Sequence, residues 1–189
     1  VTETLDGRQT ELLLRLARQA IAAKLRGGPC QLEMPEDWVF SKEAATFVTL
    51  KIKGQLRGCI GNLESTISLW ASVSQNAVKA AFGDMRFLPL SHEELDEIDI
   101  HISVLTNPER LEYSDATDLL RQLRPGVDGV VLRHGEAGAT FLPQVWEQLP
   151  KPEQFLGHLC RKAGLNERCW ETESPDIYIY QVQSFGEDD

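Results

Sequence analysis

"FVTLKIKGQLRGCIG", residues 47–61, alternates apolar and polar side chains on both sides of Gly54. Period-two alternation broken by a glycine marks two strands folded back as a hairpin. The register of that hairpin decides where Cys59 points. A two-residue loop at Lys53–Gly54 sets Ile52 against Gln55 and mixes apolar with polar on each face. A three-residue loop, Lys53–Gly54–Gln55, sets Ile52 against Leu56, Leu50 against Gly58 and Val48 against Ile60. One face is then wholly apolar, as a sheet packed on a core requires, and this second register is expected. Its other face carries Thr49, Lys51, Arg57, Cys59 and Gly61, with Thr49 opposite Cys59 and Lys51 opposite Arg57.

Outward from the hairpin, residues 10–28 read as a helix with Leu13, Leu16, Ala17 and Ala20 on its stripe and Gly27–Gly28 as its stop. Residues 65–84 read as a second helix. Ser65 or Thr66 is its expected cap, Trp70, Val73, Ala77 and Ala81 its stripe, and Gly83 its end. "SHEE" at 91–94 has the form of a capping box. "IDIHISVL", 98–105, is a half-buried strand with its isoleucines on one face and Asp99, His101 and Ser103 on the other. A helix over 114–126, a second hairpin over 129–143, a short and a longer helix, and a closing strand over 176–185 complete the chain. Hairpins and helices without regular βαβ alternation give an α+β fold with largely antiparallel sheet.

The 189 residues can bury one core, split at most into two lobes. A net charge of −10, from 29 acidic against 19 basic residues and no dense basic run, disfavours nucleic acid as a partner. No apolar stretch approaches the roughly 18 residues of a membrane-spanning helix, and the opening residues lack the layout of a signal peptide. A cytoplasmic protein is therefore expected. Its cysteines, at 30, 59, 160 and 169, are expected as reduced thiols. His92 and His134 are isolated, and His158 and Cys160 point apart on a helix, so no metal set and no cofactor motif emerges. "HGEAGA" lacks phosphate-loop spacing and reads as a hairpin tip. Phe141, Val145 and Trp146 read as core, and the acidic "GEDD" end as solvated.

Five strings occur in order: "LRGCIGNLE", "AAFGDMRFLPLSHEELDEIDIHISVL", "LRPGVDGVVL", "ATFLPQVWEQLP" and "FLGHLCRKAGL". Together they resemble the AMMECR domain family, whose bacterial and archaeal members are called AmmeMemoRadiSam system protein A. The resemblance covers nearly the whole chain. It implies a single two-lobed domain over 1–189, a larger lobe with both termini and a smaller one against it, with LRGCIG facing an inter-lobe cleft. It also implies association with a Memo-like protein and a radical-SAM protein, but no established reaction.

The candidate site residues are Cys59, Arg57, Gly58, Gly61, Asp84, Arg86 and His101. On the polar face, Cys59 stands near the cations of Arg57 and Lys51, which favour a thiolate. Gly58 and Gly61 would admit a ligand or another backbone. Arg86 has the planar fork that holds a carboxylate or phosphate, and His101 is a base if its strand lies beside Cys59. Each has a bland reading too. Cys59 can be a small buried hydrophobe and Arg57 the partner of a structural carboxylate. Arg86 can cap helix carbonyls, Asp84 can accept turn N–H groups, and His101 can be solvated. Two functions stay open: an accessory protein that binds a small molecule or a partner, and a small-molecule enzyme using Cys59 as nucleophile or acid/base.

Overall fold

The hairpin turns through two residues rather than three in the computed structural model, which describes residues 4–187. β1 (Ala45–Ile52) pairs antiparallel with β2 (Gln55–Gly61), Ile52 against Gln55 and Lys51 against Leu56. Lys53 (φ 51°) and Gly54 (φ 76°) are both left-handed, as a type I′ turn requires, and its twist matches that of the strands. The register then shifts next to Leu50, leaving Arg57 as an extra residue on β2. From there Leu50 faces Gly58, Thr49 faces Cys59 and Val48 faces Ile60. The three-residue loop and the Lys51–Arg57 pair are thus corrected. The tight turn wins at the tip, and a one-residue bulge restores the apolar phase below it.

That apolar face receives two helices. α1 (Gly7–Leu25) starts earlier than its apolar stripe suggests, because Asp6 and Gln9 form a reciprocal capping box. α2 (Leu69–Phe82) is capped by Ser68 rather than Ser65 or Thr66. Residues 67–69 are tied to β1's approach by the Glu43–Ser68 bridge and by Leu69 N–H donating to Lys42, which delays the helix. Leu13, Leu16 and Ile21 of α1 and Val73 and Ala77 of α2 close over Val48 and Leu50. Ile98, Ile100 and Ile102 of β3 (Ile98–Leu105) complete this core.

β8 (Val182–Gly186) ends the first sheet, whose order is β2-β1-β3-β8. Beyond it Glu187 accepts from both Nε and Nη2 of Arg18, at 2.7 and 2.6 Å, and from the Ile100 N–H at 2.9 Å. The "GEDD" stretch is therefore docked at Glu187 rather than solvated, while Asp188 and Asp189 lie outside the described residues.

The second sheet has the order β4-β7-β5-β6, formed by β4 (Glu109–Arg110), β5 (Gly129–His134), β6 (Ala137–Phe141) and β7 (Asp176–Tyr180). The expected closing strand is two strands, parted at Gln181 and belonging to different sheets. α3 (Ala116–Gln122), α4 (Pro152–Lys162) and the short α5 (Cys169–Thr172) accompany the second sheet. Trp146 stacks on Phe155, ring centres 3.7 Å apart, and donates its indole N–H to the Asp128 carbonyl. Cys160 and Cys169 are joined by a disulfide, which corrects their reading as reduced thiols, while Cys30 and Cys59 are free. The sulfurs meet because the Gly164 stop folds the chain from the end of α4 back onto its own last turns, where Leu165 N–H bonds Cys160.

The chain thus forms an α+β fold of antiparallel sheets. It divides into two compact units, one made of residues up to Leu105 with those from Gln183 onward, the other of Thr106–Val182. Among the described residues no helix is long and apolar enough to cross a membrane.

Candidate functional site

β2 is an edge strand, and the residues singled out around Cys59 all lie in the first unit. Edge strands expose a row of backbone donors and acceptors that must be covered or left open to association. Here the segment after α2 covers part of it. The carboxylate of Asp84 accepts the Cys59 N–H at 2.9 Å, and Nη2 of Arg86 donates to the Cys59 carbonyl at 3.4 Å. Asp84 and Arg86 are also paired with each other, through Nε at 2.9 Å and Nη2 at 2.7 Å, and Asp84 takes the Arg86 backbone N–H at 3.2 Å. The Asp84 side chain is 6% exposed against 57% for Arg86. The Arg86 guanidinium first, then the Cys59 N–H, holds the Asp84 carboxyl well below the usual carboxylate range. The turn-acceptor reading of Asp84 therefore describes half of its role. Arg86 grips Asp84 and the strand rather than helix carbonyls.

Arg57, the extra residue of the bulge, is committed elsewhere. Its Nε and Nη2 clasp both oxygens of Glu94 at 2.7 and 2.9 Å, and Nη2 also donates to the Leu88 carbonyl at 2.9 Å. Its Nη1 is buried without a hydrogen bond among the described residues. The Phe87 ring lies 5.8 Å from the Arg57 guanidinium and 5.6 Å from that of Arg86. Glu94 also accepts the Ser91 N–H at 2.9 Å, which is the returning half of the expected capping box. Its carboxyl is pulled below its ordinary range, by Arg57 first and by Ser91 second. The reciprocal half is missing: Ser91 turns its hydroxyl to Glu93.

Cys59 is half-buried, and its sulfur accepts from the Thr49 hydroxyl at 3.2 Å. Thr49 in turn pairs with His101 on β3. Cys59, Thr49 and His101 therefore form one row across three strands, with His101 two strand spacings from Cys59, about 9–10 Å. The condition for a Cys–His pair, adjacent strands, is not met. The His101 ring instead lies over Gly186, where a Cβ would come within 2.5 Å of Nδ1.

The two glycines of the segment serve two close approaches. A Cβ on Gly58 would stand 2.2 Å from the backbone oxygen of Ala80, so what approaches Gly58 is α2. On Gly61 a Cβ would meet the Phe47 ring and the Thr46 carbonyl, both at 2.4 Å. Sequence reasoning missed Glu94 and Phe87 as members of this cluster. "SHEE" showed Glu94 only as a local cap, and nothing local reveals that the same carboxylate faces a bulged arginine 37 residues earlier. Among the described residues no group of three or more His, Cys, Asp or Glu is placed to hold a metal ion.

The AMMECR1 family model matches residues 14–185, spanning both sheets and the whole Cys59 cluster. The chain belongs to the AMMECR1 family. A protein of Methanothermobacter thermautotrophicus is 42% identical over 183 residues, 93% of each chain. One of Methanopyrus kandleri is 35% identical and covers 99% of this chain and 92% of its own. The crystal structure of an uncharacterized protein from Pyrococcus horikoshii superposes with a TM-score of 0.78 at 34% identity, covering 94% of this chain and 91% of its own. The braced hairpin thus lies within the region that the family model matches.

Proposed function

We propose that this AMMECR1-family chain is an accessory protein that binds a small ligand or a partner on the surface around LRGCIG. Its partners in this reading are a Memo-like protein and a radical-SAM protein. The observation that carries it is the pairing of the charged groups. Arg57 is held by Glu94 and Arg86 by Asp84, each through two guanidinium nitrogens, and Cys59 has a hydroxyl rather than a base at its sulfur. Such an arrangement fixes a surface in shape. A nucleophile needs a base within hydrogen-bond reach and a group to orient that base.

Sedimentation of the purified chain with each purified partner tests the reading. A complex with at least one of them is expected, and Cys59→Ser should leave its affinity within about threefold, since a hydroxyl keeps an acceptor where the thiol stood. Absence of any complex, together with a turnover that Cys59→Ser abolishes, would overturn it in favour of the enzyme reading. One contact favours that second reading: the Thr49 hydroxyl donates to the Cys59 sulfur at 3.2 Å and so holds that sulfur in one place.

A further inference from the structure

We infer that the outer edge of β2, from the Cys59 carbonyl through Gly61, receives an extended peptide segment of a partner protein as an added strand. The inference rests on the binding reading above and specifies the form of the partner. β2 ends its sheet, with β1 on one side only. Asn62 donates its N–H to the Thr46 carbonyl at 3.2 Å, so it faces β1. Backbone direction alternates along an antiparallel strand, which turns the N–H and C=O of residues 61 and 59 outward. The Asp84 bond to the Cys59 N–H agrees with that direction.

The three outward groups beyond that N–H are differently held. Arg86 touches the Cys59 carbonyl at 3.4 Å, the longest of its hydrogen bonds, with a side chain 57% exposed. Letting go leaves Arg86 still clasped by Asp84 through two nitrogens. Among the described residues nothing takes up the N–H or C=O of Gly61. Acceptor, donor and acceptor therefore follow one another at strand spacing, the pattern that a second main chain completes. The Asp84–Arg86 pair already imitates such a strand at Cys59, one group accepting and one donating. Phe47, whose ring lies where a Gly61 side chain would be, gives an incoming side chain an aromatic neighbour on one face. An isolated small molecule would not match three consecutive backbone groups as an extended chain does.

A library of short random peptides displayed on phage, panned against the whole chain, tests this directly. Enriched peptides, synthesised and added to the labelled protein, are expected to slow exchange of the Gly61 amide about tenfold or more by NMR. They should bind the Arg86→Ala variant about threefold to tenfold more tightly, because a competing donor has gone. Asp84 keeps its two backbone donors in that variant, so the fold is retained. Peptides that bind yet leave Gly61 exchange unchanged would overturn the edge while sparing the binding reading. Failure of every peptide to enrich, or equal affinity for Arg86→Ala, would overturn the edge as well. The partner sedimentation described above reports on the broader reading separately.

Discussion

The two hairpins, β1–β2 of the first unit and β5–β6 of the second, close through two residues each and end in edge strands, yet they are finished differently. β5–β6 runs in unbroken register from Val130–Phe141 to His134–Ala137 around Gly135. Its edge carries the ammonium of Lys162, which donates to the Thr140 carbonyl at 3.0 Å. A lysine on an edge is a common way to discourage association. β1–β2 instead carries a bulge, two carboxylate–guanidinium pairs and a segment folded over part of its edge. The elaborate hairpin holds a particular surface around Cys59, and its extra parts define the candidate site.

Glycines at matched places separate the two most sharply. Gly58 on β2 has the Ala80 backbone oxygen 2.2 Å from any added Cβ, whereas Gly138 on β6 has a backbone oxygen at 3.3 Å and a flexible Arg133 carbon at 3.8 Å. Gly58→Ala should cost about 3 kcal/mol or more, since α2 must lift from the sheet. Gly138→Ala should stay within about 1 kcal/mol, with strand propensity offsetting mild crowding. Chemical denaturation of both variants checks the contrast, and similar costs would mean that α2 does not press on β2 as described.

The second unit has a staple that the first lacks. Reduction of Cys160–Cys169, which closes a loop of separation 9, should remove about 3 kcal/mol from the unfolding of Thr106–Val182. Hydrogen exchange with and without a dithiol reductant reads this region by region. Amides of β5 and β7 should lose protection while those of β1 and β3 keep theirs. Equal loss in both units would show that they unfold as one body.

Glu94→Gln removes the clasp on Arg57 and leaves a mostly buried guanidinium with neutral partners. A loss of about 2 kcal/mol is expected. Its sign with pH follows from the direction of the shift. Arg57 and Ser91 lower the Glu94 carboxyl in the folded state. The stability it contributes is therefore present above its unfolded value, about 4.3, and is lost as pH falls through the lower folded value. Acid titration of stability should be shallower in Glu94→Gln than in the parent below about pH 4.3. Parallel curves would detach Glu94 from the site.

Much of this architecture was legible. Period-two alternation located β1, β2 and β3, and the stripe of Trp70, Val73, Ala77 and Ala81 located α2 with its buried face. Those signals are local because they record which side of an element meets a core. Pairings between distant segments left no local trace. Glu94 looked like a cap, Arg86 like a ligand hand or a helix cap, and Cys160 and Cys169 like scattered thiols, because each partner is fixed by tertiary packing. The His101 reading foundered on strand order: β1 lies between β2 and β3, an arrangement that hairpin periodicity does not determine.

The smallest effect probes the hairpin tip, where the apolar pattern misled. Requiring one uniform face from tip to base favoured a three-residue loop, but the chain reaches that face by a tight turn plus a bulge at Arg57. In such a turn Lys53 sits at φ 51°, a conformation that a long side chain disfavours and Asn tolerates. Lys53→Asn should therefore stabilise the protein by about 0.5–1 kcal/mol. The Lys53–Glu97 contact that it removes is 3.5 Å long and 84% and 53% exposed, too open to oppose that gain. A three-residue loop would give Asn no such advantage, and thermal unfolding of this one variant distinguishes the two turns. A gain also fixes the bulge, because only a two-residue turn leaves Arg57 as the extra residue that swings to Glu94.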